Sequence, residues 1–526
     1  MNIEDTTNNK RKLILSLVLL TSVVLLGTFA WYVWSSKDNT SMNVTIGDLA
    51  DVSFKTGNDI NITNLSPSFN YDDGALTEFS IRKKKGLTTD LYTNIYLDIT
   101  SISDTLKSPS FKYELLSSSD GNTYNNVSSG NFQDASIGKL NILVDTPLAD
   151  GKTYYKLYIW IDGNEENNTS MQSSSMKGVL NVNVTTPPVN AVTLVEGLDE
   201  GATGDSGSGV YKVTHNAIAS SDSATGSEIK ATTDYRYYGA DPSNYICLDM
   251  EGQSTCPDKH LYRIIGSIYE EKENTNRIKV IKATPLTDGT TKGFSWDYTS
   301  SGSYSNIWAT ITSGNYSNSL TSGSQLMKLL NSGLWWNGTS GSYYNNSTTA
   351  TTVNFTNYKL SDKAKSYITT SRYYLGGYNN SSGVMTNQFY TYERGTTRYD
   401  TNRPLYWDGM VGLMYPSDYG YAAGNTCVTG TDPYNYNGRC KNKDWLWMTT
   451  SSDYTNNREW LMSPSSGYSD GAFFVYSSGY VDFNSYRVYN AVSVRPVFYL
   501  SSSTSITDGT GTSSDPYIVK LSSGQF

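Results

Sequence analysis

Two histidines, four cysteines and 49 acidic residues are the groups of this 526-residue chain most able to do chemistry. His215 and His260 stand far apart. Two histidines cannot furnish the ligand sets of most zinc enzymes, and they leave little for a histidine-based nucleophile relay. Both are expected at the surface or as hydrogen-bonded core residues. Glycoside cleavage needs two carboxylates roughly 5–9 Å apart, one with a raised pKa. Asp408 and Asp470 qualify by residue type, but nothing in the sequence pairs them. Asp162, Asn164 and Glu166 alternate like a calcium loop, yet the sixth position is Asn167 where such loops need glycine. Gly197 to Gly209, with Gly201, Gly204 and Gly207, lacks the Lys-Ser/Thr of a phosphate loop and reads as a flexible linker. The expectation is therefore no catalytic residue, no metal and no cofactor.

The cysteines speak instead for an oxidising compartment. Cys247 and Cys256 are nine residues apart, and Cys427 and Cys440 thirteen. Metal sites need tighter spacings, and four cysteines allow three pairings. The two local disulfides are favoured, each contributing roughly 2–3 kcal/mol through loop entropy.

Composition bounds the partners. Charged residues make up 17 %, below the roughly 25 % of an average soluble protein, yet mean hydropathy is −0.45. Ser, Thr, Asn, Gly and 43 tyrosines fill the gap. A net charge of −9 excludes a nucleic-acid binder, which needs a basic stripe to neutralise phosphates.

The elements that would position any site follow from patterning. Leu13 to Trp34 is a 22-residue run without a charge, preceded by Lys10, Arg11 and Lys12. As a helix it would span about 33 Å, enough to cross a bilayer. The basic residues keep 1–12 cytoplasmic, and Trp31, Tyr32 and Trp34 fit the outer interface. The alternative is a cleavable signal peptide, whose apolar stretch is shorter and ends at small residues. The expectation is a single-pass membrane protein with its bulk outside the cell. From 45 to 186, period-two runs predict an all-β, immunoglobulin-like sandwich. Tyr155, Leu157, Ile159 and Ile161 share one face; Leu180, Val182 and Val184 share another. Pro187-Pro188 closes this stalk, and 187–209 is expected to be a linker. The remainder, 210–526, is loop-rich with short strands. Ser324 and Ser361 each open a short helix candidate.

Ser243-Asn-Tyr-Ile-Cys247, Cys256-Pro-Asp-Lys-His-Leu-Tyr-Arg-Ile-Ile-Gly266, Val411-Gly-Leu-Met-Tyr-Pro416, Glu459-Trp-Leu-Met-Ser-Pro464 and Val494-Arg-Pro-Val-Phe-Tyr-Leu500 occur in that order. The set resembles anchored surface proteins of Gram-positive-type bacteria. Their C-terminal domain is an α+β C-type-lectin-like fold of the formylglycine-generating-enzyme-like branch. The reactive cysteines of those enzymes and the Glu-Pro-Asn or Gln-Pro-Asp calcium signatures of sugar-binding lectins are missing here. The resemblance thus implies a fold without that catalysis and without calcium-dependent sugar binding.

Residues 465–493 resemble the variable segment of proteins diversified by retroelements, in which adenines of a template are mutated. The resemblance implies ligand contacts at Ser465, Ser466, Tyr468, Asp470, Phe474, Tyr476, Tyr480, Asp482, Phe483, Asn484, Tyr486, Tyr489, Asn490 and Val492. It implies fixed scaffold at Ala472, Val475, Gly479, Val481, Val488, Ala491, Val494 and Arg495. Tyrosine gives a binding face large contact area at low entropic cost. Arg495 is expected in a structural ion pair, and Trp407, Trp445, Trp447 and Trp460 in the core or at its rim. The function expected is a cell-surface binding or adhesion protein. Its partner would be a protein or glycan on a host, phage or neighbouring cell. The alternatives are a fixed structural envelope protein and, third, a glycan-acting enzyme.

Overall fold

The computed structural model describes residues 42–46, 49–87, 90–164, 168–199, 201–253, 255–298, 306–345, 349–448, 452, 454–484 and 487–521. The anchor expected over 13–34 lies outside these residues; among those described, no helix is long and apolar enough to cross a membrane. The chain divides into two compact units, Met1–Pro187 and Pro188–Phe526.

Among the described residues the first unit has ten strands: β1 (Met42–Ile46), β2 (Ala50–Phe54), β3 (Asp59–Thr63), β4 (Ala75–Lys83), β5 (Leu91–Ile102), β6 (Phe111–Ser118), β7 (Asn125–Asn131), β8 (Gly138–Leu148), β9 (Lys152–Ile161) and β10 (Ser175–Thr185). They form two antiparallel sheets, ordered β1-β2-β4-β9-β6-β7 and β3-β10-β5-β8. Alternation decides which side chains go inward. Tyr155, Leu157, Ile159 and Ile161 of β9 and Leu180 and Val184 of β10 enter one shared core, with Val182 packed at its margin. The Asp162 carboxylate pairs with the Lys112 ammonium at 2.7 Å. Glu166 and Asn167 lie outside the described residues.

The second unit is built on a larger sheet. Its strands begin with β11 (Val189–Asn190), β12 (Gly209–His215), β13 (Thr232–Tyr238), β14 (Tyr245–Cys247), β15 (Leu261–Glu270), β16 (Thr275–Lys282), β17 (Tyr316–Ser317), β18 (Ser340–Asn345) and β19 (Thr349–Asn354). They continue with β20 (Ile368–Thr369), β21 (Ser371–Tyr374), β22 (Tyr406–Gly409), β23 (Arg458–Pro464), β24 (Ala472–Tyr476), β25 (Val481–Asp482), β26 (Val497–Leu500), β27 (Thr504–Asp508) and β28 (Tyr517–Leu521). The main sheet runs β11-β27-β28-β14-β15-β16-β26-β20, with the β12–β13 hairpin joined to β15. A separate three-stranded sheet, β23-β24-β25, carries the segment singled out in the sequence. Ser324 and Ser361 cap short helices through the amides of Met327 and Ala364.

The stretch expected to be a linker is partly folded. Asn190 caps a helix, Ala191–Gly197, through the amides of Val192 and Thr193. Ala191 and Val195 are buried in the core of the second unit. Beyond it, the Gly204 carbonyl accepts from the Asn425 amide and the Ser206 carbonyl from the Tyr238 hydroxyl. The glycines permit tight turns at positive φ (Gly204, 72°) rather than a free tether.

The core of this unit also holds charge. Asp418, on the helix Pro416–Ala422, takes the Lys279 ammonium at 2.5 Å, the Arg236 guanidinium at 2.9 Å and the Tyr415 amide. Burial alone would raise the Asp418 carboxyl, but Lys279 and Arg236 hold it below its ordinary value. The four cysteines pair locally, Cys247 with Cys256 and Cys427 with Cys440.

Candidate functional site

β24 and β25 are joined by a tight hairpin. The Gly479 amide donates to the Tyr476 carbonyl, and the Tyr476 amide to the Tyr480 carbonyl. Gly479 has φ 99°, and a Cβ there would lie 2.5 Å from the Lys441 side chain. The hairpin sets Tyr476 beside Tyr480, ring centroids 4.1 Å apart. Arg458, register partner of Tyr476 on β23, lays its guanidinium 4.2 Å over the Tyr476 ring and donates to its hydroxyl at 2.6 Å. Tyr434, on the loop closed by the Cys427–Cys440 disulfide, meets Tyr480 edge-on at 5.9 Å. Trp447 donates to the Ser477 carbonyl and carries the Lys441 ammonium 4.5 Å over its ring. Burial and the neighbouring Tyr476 push the Tyr480 hydroxyl up to about 12, so it stays a neutral donor at ordinary pH.

A second exposed feature is the 465–471 loop. Ser465 folds it by accepting the amides of Gly467 and Tyr468 on its hydroxyl. The Asn306 carboxamide ties the loop down through the carbonyls of Ser465, Tyr468 and Gly471. Tyr468 is left 46 % exposed. Arg487 pairs with Asp470 at 2.8 Å and lies 5.5 Å over the Tyr468 ring.

Of the expected contact residues, Ser466, Tyr468, Asp470, Tyr476, Tyr480, Asn484, Tyr489 and Asn490 are exposed or half-exposed. Five are interior and need correcting. Ser465, Phe474 and Val492 have no exposure, Phe483 has 3 % and Asp482 has 9 %. Phe474 packs on Trp460, and Phe483 packs on Phe473 beneath Tyr468. Val492 bridges to Phe294 in extended backbone. Asp482 accepts the Ser381 hydroxyl and the amides of Phe483 and Asn484. Alternation fails because β24 is covered on both faces, so Phe474 and Val475 are both buried. Tyr486 lies outside the described residues.

The scaffold positions Ala472, Val475, Val481, Val488 and Val494 are all buried. Arg495 grips Glu459 bidentately at 2.7 and 2.9 Å. Trp407, Trp445 and Trp460 are core residues, and Trp447 stands at the rim.

Elsewhere, Asp408 is clasped by Arg372 at 2.9 and 3.0 Å. Asp408 and Asp470 thus each face an arginine. His260 is fully buried and hydrogen-bonded to Glu251. With Asp249, these residues place one ligand atom each within 4.8 Å of the others. Lys259, 2.8 Å from Glu251, and Lys363, 3.3 Å from Asp249, already supply the positive charge there. Sequence reasoning missed Tyr434, Lys441 and Arg458 as neighbours of the hairpin. The 13-residue disulfide loop was the available signal for the first. No protein-family model matches the chain, and no curated protein matches it.

Proposed function

We propose that this chain is a membrane-tethered surface protein that binds a macromolecular ligand through the tyrosine-rich face around 466–490. In this reading an immunoglobulin-like stalk carries a C-type-lectin-like head. The observation that carries it is the pairing of a rigid frame with an exposed rim. Tyr468, Tyr476 and Tyr480, with Tyr434, Arg458 and Lys441 beside them, stand over strands whose inward side chains are fully packed. Tyrosine and arginine are the residues that concentrate binding energy at interfaces. Hydroxyls and amides from Ser466, Asn484 and Asn490 complete a polar surround.

The segment is also read as the target of a diversity-generating retroelement. The frame supports that reading in a restricted form: variation is tolerated at the exposed positions and limited at Phe474, Asp482, Phe483 and Val492. The deciding observation is in the flanking DNA. A near-copy of the 465–493 coding stretch, differing at adenines and adjacent to a reverse-transcriptase gene, is expected; a locus with neither refutes diversification and leaves a fixed adhesin. The binding face is tested separately by the triple variant Tyr468→Ala, Tyr476→Ala, Tyr480→Ala. Its adhesion to neighbouring bacterial and host cells should fall at least about 30-fold, equivalent to about 2 kcal/mol. Undiminished adhesion would refute the assignment.

A further inference from the structure

A separate cleft of about 550 Å³ opens between the end of β12, the residues that follow it, and the helix Thr386–Glu393. His215 forms its floor. The His215 ring lies flat on Tyr390, centroids 3.6 Å apart and planes 2° from parallel. The Arg394 guanidinium sits 3.5 Å from the same centroid, so the two take opposite faces of Tyr390. Tyr392 is stacked on Tyr378 at 4.0 Å, and Tyr421 carries the Arg236 guanidinium at 4.8 Å.

His215 is 5 % exposed and its protonation is fixed from behind. Its Nε2 is 2.8 Å from an Asp234 oxygen that also accepts from Arg236 Nε and Nη2. The other Asp234 oxygen accepts the Tyr269 amide. Burial draws the Asp234 carboxyl upward, but Arg236 and His215 outweigh it and hold it well below the carboxylate range. Burial in turn lowers the His215 pKa. A neutral imidazole beside a permanent carboxylate keeps its proton on Nε2. Nδ1 is left as a lone-pair acceptor; among the described residues no hydrogen bond engages it, and His215 lines the cleft.

The walls decide what this acceptor would meet. They present Thr214, Asn216, Asp222, Asn387 and Thr391. No lysine or arginine is among the lining residues, which disfavours phosphates and other anions. The tyrosine rings are engaged by their own neighbours, which disfavours a planar aromatic ligand that must stack. Hydroxyl and carboxamide walls, with the acceptors of Asp222 and His215, suit a ligand rich in O–H donors. We propose that the cleft is a binding site for a small polyhydroxyl compound, a sugar ring or an open-chain polyol, that donates a hydroxyl to His215 Nδ1. It is distinct from the tyrosine rim of 466–490 and does not depend on that rim's assignment.

The test is saturation-transfer NMR on the full-length chain with methyl glucoside, methyl galactoside, N-acetylglucosamine, ribitol and sorbitol. At least one ring or chain compound should bind with a dissociation constant on the order of 1 mM, as expected for about a dozen heavy atoms. The two sub-panels separate cyclic from open-chain ligands. Thr391 is an exposed helix position, so Thr391→Trp should fill the cleft, leave the fold intact and weaken binding at least tenfold. His215→Gln should do the same: its amide can keep the hydrogen bond to Asp234, but no acceptor then stands at the Nδ1 position. Tyr480→Ala should leave this binding unchanged. Absence of binding by every compound at about 10 mM overturns the proposal, as does binding that survives Thr391→Trp or is abolished by Tyr480→Ala.

Discussion

Glu459→Ala tests whether the frame beneath the tyrosine face is held as described. Glu459 is 1 % exposed and Arg495 3 %. The substitution removes two charge-assisted hydrogen bonds, at 2.7 and 2.9 Å, from a guanidinium that cannot shed its charge. The Leu446 carbonyl remains as an acceptor. Removing one partner of a buried pair costs about 3–5 kcal/mol; the remaining carbonyl places this case near the lower end of that range. Eight of the eleven tryptophans lie in the second unit, so urea unfolding followed by tryptophan fluorescence reports mainly on it. With a slope of about 1–3 kcal/mol per molar, the midpoint should fall by about 1 M or more. Tyr480→Ala in the same assay loses only half-exposed ring contacts with Tyr476 and Tyr434, about 1 kcal/mol or less. The hairpin hydrogen bond survives, since the Tyr480 carbonyl makes it. A loss below about 1 kcal/mol for Glu459→Ala, or an equal loss for both variants, would refute the division into frame and face.

Three further outcomes are expected. Burial pushes Glu393 up to about 7, against 4.5 ordinarily. A raised folded pKa gives stability that is complete below about pH 4.5 and lost as pH rises through 7, up to about 3 kcal/mol. Stability of wild type minus Glu393→Gln, measured by denaturant melts from pH 4.5 to 8, should decline across that window; a flat difference refutes it. Replacing Cys427 and Cys440 by serine should lower stability by about 3 kcal/mol and weaken adhesion by loosening Tyr434, read by melts and cell binding. Gly479→Ala forces a φ of 99° and displaces Lys441, so it should cost about 1–2 kcal/mol in urea melts and reduce adhesion more than its stability loss explains.

In the first unit the β-rich character was legible, because alternating side chains report directly which face of a strand is buried: Leu157, Ile159 and Leu180 lie inward as their spacing demands. The serine caps at 324 and 361 were equally plain, since capping is a local event. Phe474 misled because a strand covered on both sides has no alternation to read, and Val492 because its bridge to Phe294 joins residues far apart in the chain. The helix Ala191–Gly197 hid among glycines and prolines, and it forms because Val195 finds a core made by residues far along the chain. The neighbours of the rim tyrosines and the cleft were illegible for the same reason. Tyr434 meets Tyr480, and His215 meets Tyr390, only through tertiary packing.

The Cys427–Cys440 loop lies outside the segment read as changeable, yet it delivers Tyr434 to the edge of the Tyr480 ring. Under the proposed diversification, any residue that replaced Tyr480 would work beside Tyr434, which lies outside 465–493. Heads diversified in that way would share a common footing and differ in what stands next to it, so an antibody raised against the 427–440 loop should recognise members whose adhesive preferences had diverged.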